Sequence, residues 1–237
     1  MIPVKVIREK KETSLNVPFS WTDVSFENYL KLAKGEDIFM TLFGFKTEEL
    51  EAKSADSLLS LMSFLNQTEQ LNTGILPDKF NTINIGGSSW GQLEKSKQII
   101  NSNVKSETNK IGYENAMNTV VKIYFEETDI SKMDCLTAIA IGGHIFESIG
   151  KFLKEYEELD EYEMEDEEKE AGADEEFKEF GYFNTLKKIC NGNPLDYDAM
   201  LQVPAVLIYK TLLYNFREYK VQKRLQIIRE RKLKAQR

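Results

Sequence analysis

The residues of this chain that could do chemistry are few, and their spacing does not suit it. His144 is the single histidine among 237 residues. It sits in the apolar run Ala140 to Phe146, where an imidazole more often packs in a core or an interface than shuttles protons or holds a metal. The carboxylates contain no Asp-x-Asp-x-Asp-Gly loop closed by a glutamate at the twelfth place, so no metal site is read. Cys135 and Cys190 lie far apart, without paired spacing and without a neighbouring histidine. They read as buried thiols of a reducing cytoplasm, not as a disulfide, a ligand pair or a nucleophile. Gly86-Gly87-Ser88-Ser89 leads from an expected strand into a helix but lacks the Gly-Lys-Ser/Thr ending of a phosphate loop. Gly142-Gly143 falls inside a helical pattern, where close helix packing or a kink explains it better. No Gly-x-Ser-x-Gly elbow occurs. The chain reads as a non-enzyme that uses no cofactor.

Charge is the stronger signal. From Glu155 to Glu179 there are 15 Asp and Glu against 2 Lys, and from Lys210 to Arg237 there are 10 Lys and Arg against 2 Glu, within a formal total of −8. Such blocks repel within themselves and attract each other unless partners intervene. The acidic block reads as a solvated loop or helix face, as a shield for the basic tail, or as a mimic of nucleic acid or competitor for a basic partner, with Tyr156 and Tyr162 as weak anchors. In the tail, Leu207, Ile208, Leu212, Leu213, Phe216 and Tyr219 suit the core, after which a thin apolar seam runs through Val221, Leu225, Ile228 and Leu233. Lys220, Lys223, Arg224, Arg229, Arg231 and Lys232 are the candidate partner-binding residues. Their target is an acidic protein surface, a neighbouring subunit or a phosphate backbone. A pI near 5 and the lack of aromatic residues interleaved with the basic ones disfavour nucleic acid.

The elements that position these groups follow from caps and periodicity. Ile2–Arg8 alternates as a strand, with Leu15–Val17 as its hairpin partner across a polar turn from Lys10 to Ser14. Ser25 caps a helix through Phe26, Tyr29, Leu30 and Ala33, which Gly35 closes. A short helix from Asp37 ends at Gly44. Thr47 caps the next, and Ser54 or Asp56 opens another with Leu58, Leu61, Met62 and Leu65 on one face. Alternation of Phe80, Ile83 and Ile85 predicts a central strand. Ser89 and Gln92 form a capping box. Further helices are predicted over Glu114 to Phe125, from a cap within Ser131-Lys132-Met133-Asp134 through Leu153, and over Phe180 to Cys190, where Asn191-Gly192-Asn193-Pro194 stops the helix. A long final helix starts at Asp196 or Asp198 and is kinked at Pro204. Trp21 and Trp90, each at a helix entry, should be buried with a satisfied indole N–H. The fold class is mainly α, with a small β component. The expected organisation is an N-terminal segment (1–67) of strands and small helices, a helical core (68–154), an acidic insertion (155–179) and a C-terminal unit (180–237). No signal peptide is read at Met1–Arg8, and no apolar run is long enough to span a membrane.

Three segments carry a resemblance. The run Val17 to Tyr29 (VPFSWTDVSFENY) resembles the opening of small proteins from tailed phages of Bacteroidetes-type hosts. Ser88 to Gln92 (SSWGQ) is similar to the helix start after their central strands. Phe180 to Asn184 (FGYFN), Leu186, Asn191-Gly192-Asn193 and the Pro204 helix resemble their closing unit. Those proteins belong to virion-morphogenesis clusters that include tail assembly chaperones. The resemblance implies a protein that acts by binding phage tail or neck components, alone as an oligomer or in complex, in the host cytoplasm. The alternatives are a permanent ring, adaptor or tail subunit of the virion, and a nucleic-acid-binding regulator that uses the basic tail. The acidic insertion and the long basic end depart from the family pattern.

Overall fold

A computed structural model of the chain describes residues 1–104, 110–161 and 170–235. The protein is mainly α-helical, with one two-stranded antiparallel hairpin at the N-terminus and a long C-terminal helix. It divides into two compact units that interleave along the chain. The first comprises Met1–Ile83 and Ser96–Glu147, and the second Asn84–Lys95 and Ser148–Arg237.

In the first unit, β1 (Ile2–Arg8) pairs with β2 (Lys11–Val17) in a register running from Ile2↔Val17 to Arg8↔Lys11. The expected polar turn is therefore shorter. Only Glu9 and Lys10 lie outside the ladder, both at positive φ (49° and 62°), the conformation of a two-residue hairpin turn. Ser25 accepts from the Asn28 N–H to open the helix Phe26–Ala33, and Asp37 accepts from Met40 to open Ile38–Phe43, which Gly44 ends at φ 77°. Thr47 heads a single 3-10 turn, Thr47–Glu49, and the helix after it begins at Ala52, earlier than either expected cap. The helices that start at Phe26 and Cys135 are joined at their N-termini. Phe26 N–H donates to the Met133 carbonyl and Cys135 N–H to the Val24 carbonyl, each at 2.8 Å. Trp21 is buried between Tyr29 and Phe64, edge-on to both, and its indole donates to the Gln67 carbonyl. Gly142 is a close-packing glycine, as expected: a Cβ there would lie 2.5 Å from Cγ of Met117 on the helix Lys110–Tyr124.

The central strand is not formed. A strand needs a neighbour for its N–H and C=O groups, and here they are spent on turns. Phe80 and Asn81 donate to Pro77 and Asp78, and Gly87 donates to both the carbonyl and the side chain of Asn84. Phe80 and Ile85 are instead two separately buried anchors, with Phe80 against Phe125 in the first unit and Ile85 in the second.

Asp129 shows how the first unit should respond to acid. The Ser131 hydroxyl and backbone N–H both donate to it, at 2.6 and 3.1 Å. With help from Asn118 and Lys122, they hold its carboxyl at about 2 against an ordinary 3.8. A depressed folded pKa contributes stability above the unfolded value and loses it as pH falls through the folded one. Asp129→Asn should therefore destabilise the protein at neutral pH, and its deficit against the parent should shrink between pH 4 and pH 2. Denaturant titrations across that range check this; a deficit independent of pH would show that the charge contributes nothing.

Candidate functional site

In the second unit the Ser89–Gln92 capping box is made as the spacing predicts. Ser89 N–H donates to Gln92 Oε1 at 3.0 Å, and Gln92 N–H donates to Ser89 Oγ at 3.2 Å. The segment expected to be one kinked helix is instead divided. A 3-10 turn (Pro194–Asp196) and a short helix (Tyr197–Leu201) precede a break at Pro204, and the C-terminal helix runs unbroken from Ala205 to Ala235. Proline cannot continue the preceding helix. Its neighbours instead bond to the capping-box segment, with Trp90 N–H donating to Val203 and Ala205 N–H to Ser88, both at 2.8 Å. This pairing roots the C-terminal helix beside Trp90.

Trp90 is 1% exposed and donates its indole N–H to Glu94 Oε1 at 3.0 Å, and the Tyr209 hydroxyl donates to the same oxygen at 3.2 Å. Tyr209 also packs against Phe152 and Tyr156. Glu94 was not singled out by sequence. The available signal was its four-residue spacing from Trp90, which puts both on one helix face. The cluster is a closed polar bond inside an aromatic core. It anchors the helix and offers no opening to a substrate.

Beyond that anchor the C-terminal helix meets the start of the acidic stretch. Arg217 donates through Nε and Nη2 to Glu158 at 3.0 and 2.7 Å, and Lys220 donates to Glu161 at 2.8 Å. The Arg217 guanidinium holds the Glu158 carboxyl below its usual range, and the Glu161 carboxylate pushes the Lys220 ammonium up. Exposed pairs contribute little to stability. What they fix is where the turn Glu157–Glu161 sits against the helix. Acid and base thus meet at residues 217 and 220; residues 162–169 of the acidic block, Tyr162 included, lie outside the described residues.

From Val221 to Lys234 every residue is exposed. This arm of the C-terminal helix is about 20 Å long at 1.5 Å per residue. Of the sequence-selected residues, Lys223, Arg224, Arg229, Arg231 and Lys232 lie on it. Lys220 does not: it is held at the arm's root by Glu158 and Glu161 and lies over the Phe216 ring. Helical geometry puts Val221, Leu225 and Ile228 on one stripe, with Arg224 and Arg231 along one flank and Arg229 along the other. Leu233, expected on the same seam, falls off it. Leu207 and Tyr214 continue the stripe toward the root at seven-residue steps and are also exposed, so Leu207 belongs to the open face and Ile208 and Phe216 to the core.

A second surface was missed altogether. Phe177, Phe180 and Phe183 are 40 to 53% exposed, and Phe183 stands edge-on to Tyr197 at 5.3 Å. Phe183, Leu186 and Ile189 recur at helical spacing, but of the three only Leu186 is fully enclosed. Glu175, Glu176 and Glu179 are exposed between and beside these rings. An open apolar groove of about 440 Å³ lies along the opposite side of the helix Tyr182–Ile189, lined by Leu159, Ile189, Leu212 and Phe216 with Lys188 beside them.

Both cysteines are buried, and burial raises the Cys190 thiol further from ionisation. His144 is half-buried on the helix Cys135–Lys154. Among the described residues no three His, Cys, Asp or Glu side chains cluster as a metal site requires, and no helix is long and apolar enough to cross a membrane. No family model, curated protein or solved structure matches the chain.

Proposed function

We propose that this chain is a tailed-phage virion-morphogenesis protein that works by protein–protein binding in tail or neck assembly, in the manner of a tail assembly chaperone. The observation that carries the binding role is the arm Val221–Lys234. It is a fully exposed helix with an apolar stripe between basic flanks, rooted firmly in a folded unit. A helix of this length is marginal in water by itself, and its apolar stripe gains from being covered. The process is suggested by the three ordered motifs, Val17 to Tyr29, Ser88 to Gln92 and Phe180 to Asn193. Their residues supply structure here: a buried Trp21, a capping box and a helix stop at Asn191-Gly192. The partners are phage structural components, met in the host cytoplasm.

The second reading, a permanent ring or adaptor subunit, is favoured by one observation. The same unit carries both a basic arm and an acidic aromatic patch, which is what repeated subunits need to join. Mass spectrometry of purified particles, together with particle yield when the protein is withheld, tests both readings. Failure of tail or neck assembly is expected. Absence from the finished particle supports the chaperone, and stoichiometric presence supports the subunit. Unchanged yield and morphology without the protein would sink the assembly role.

A further inference from the structure

The arm and the aromatic patch are opposite in charge and alike in apolar content. Between Val221 and Lys234 there are 6 Lys and Arg against 1 Glu. Around Phe177, Phe180 and Phe183 stand Glu175, Glu176 and Glu179, with Lys178 already facing Glu175 at 3.8 Å. Both surfaces are exposed in the same chain, so the arm does not cover the patch of its own molecule. Because the helix is continuous to Ala235, bringing the two together within one chain would require breaking it. We propose that the arm of one copy docks on the Phe177–Phe180–Phe183 patch of a second copy, joining copies head to tail. The proposal rests on the arm being a docking element and names its partner.

Two other acceptors fit less well. The groove beside Leu212 and Phe216 carries Lys188 and no carboxylate along its lining, so a basic arm meets no opposite charge there. Pairing of two arms along the Val221–Leu225–Ile228 stripe would set Arg224, Arg229 and Arg231 against their own counterparts, which like-charge repulsion at coiled-coil flanks opposes. A head-to-tail contact uses two different surfaces, so a joined pair still has one arm and one patch open and the series ends only by closing into a ring. One arm is smaller than the area a stable dimer buries, so each contact is weak and depends on repetition.

Sedimentation velocity of the full chain across a concentration series, at low and high salt, reads this directly. Species larger than a dimer are expected to grow with concentration and to recede with salt. An arm variant (Arg224→Glu, Arg229→Glu, Arg231→Glu) and a patch variant (Glu175→Lys, Glu176→Lys, Glu179→Lys) should each sediment as the 27.4 kDa monomer. Mixed one to one, they should associate again, because each arm now meets a patch of opposite sign. A patch variant that associates like the parent would overturn the proposal in favour of arm–arm pairing, and a monomeric mixture would overturn it outright. A parent chain that stays monomeric at every concentration, while its arm remains essential for particle assembly, would overturn the second-copy acceptor and leave the assembly role standing.

Discussion

Trp90→Ala should lower the unfolding free energy by about 3–5 kcal/mol, the usual cost of emptying a large aromatic site in a core. At a few degrees per kcal/mol for a chain of this size, the midpoint should fall by roughly 6–20 °C. The physical basis is threefold. The ring is 1% exposed, it packs edge-on against Tyr182, and its N–H donates to the buried Glu94 side chain. Trp90→Phe keeps much of the packing but removes that donor, so a smaller loss of about 1–3 kcal/mol is expected. Tyr209→Phe removes a hydroxyl that donates to the same oxygen, at a cost of about 1 kcal/mol. The order of the three variants is the sharper half of the prediction. If Trp90→Ala melts within ~2 °C of the parent, far less than a buried aromatic should cost, the ring contributes nothing to a core and the anchoring of the C-terminal helix needs another cause.

Ending the chain after Lys220 should do the reverse: leave the fold intact and abolish the assembly function. Of the residues removed, Val221 to Lys234 are exposed, while those that root the helix (Ile208, Tyr209 and Phe216 in the core, Arg217 and Lys220 on Glu158 and Glu161) all remain. Melting should therefore change by no more than about 0.5 kcal/mol, the range of surface changes that disturb no packing. The helical circular dichroism should drop by the share of the missing turns. Particle formation in a complementation assay should nevertheless fail. Any capture of a partner by the intact chain should weaken as salt screens the arm over a Debye length of about 8–10 Å. Normal particle yield from the shortened protein would make the arm an idle helix end. Unfolding of the shortened protein would mean that the arm supports the body in a way its exposure does not reveal.

Much of the local structure was legible in the residues. Ser25, Asp37, Asp134 and the Ser89–Gln92 pair each bond a backbone N–H or side chain three residues away, so the helix starts need no other segment of the chain. Gly35, Gly44 and Gly192 take positive φ at the helix ends, and that preference is equally local. Trp21 and Trp90 are buried as their composition and position require, and the basic arm was evident from charge counting. Pairing and exposure were not legible, because each depends on what a distant segment supplies. The segment of Phe80, Ile83 and Ile85 reads like a strand but finds no partner strand, so its backbone turns. Glu94 looks like any helix-surface carboxylate until Tyr209 arrives from 115 residues away to share it with Trp90. Leu207 and Ile208 are neighbours of equal hydrophobicity, and only the packing of the second unit decides that one faces solvent and the other the core. Hydrogen-bond geometry over three or four residues is written into the sequence. Which face of a helix is covered, and whether three phenylalanines stay in water beside their glutamates, is decided by the tertiary fold, because burial is a property of the surfaces that meet.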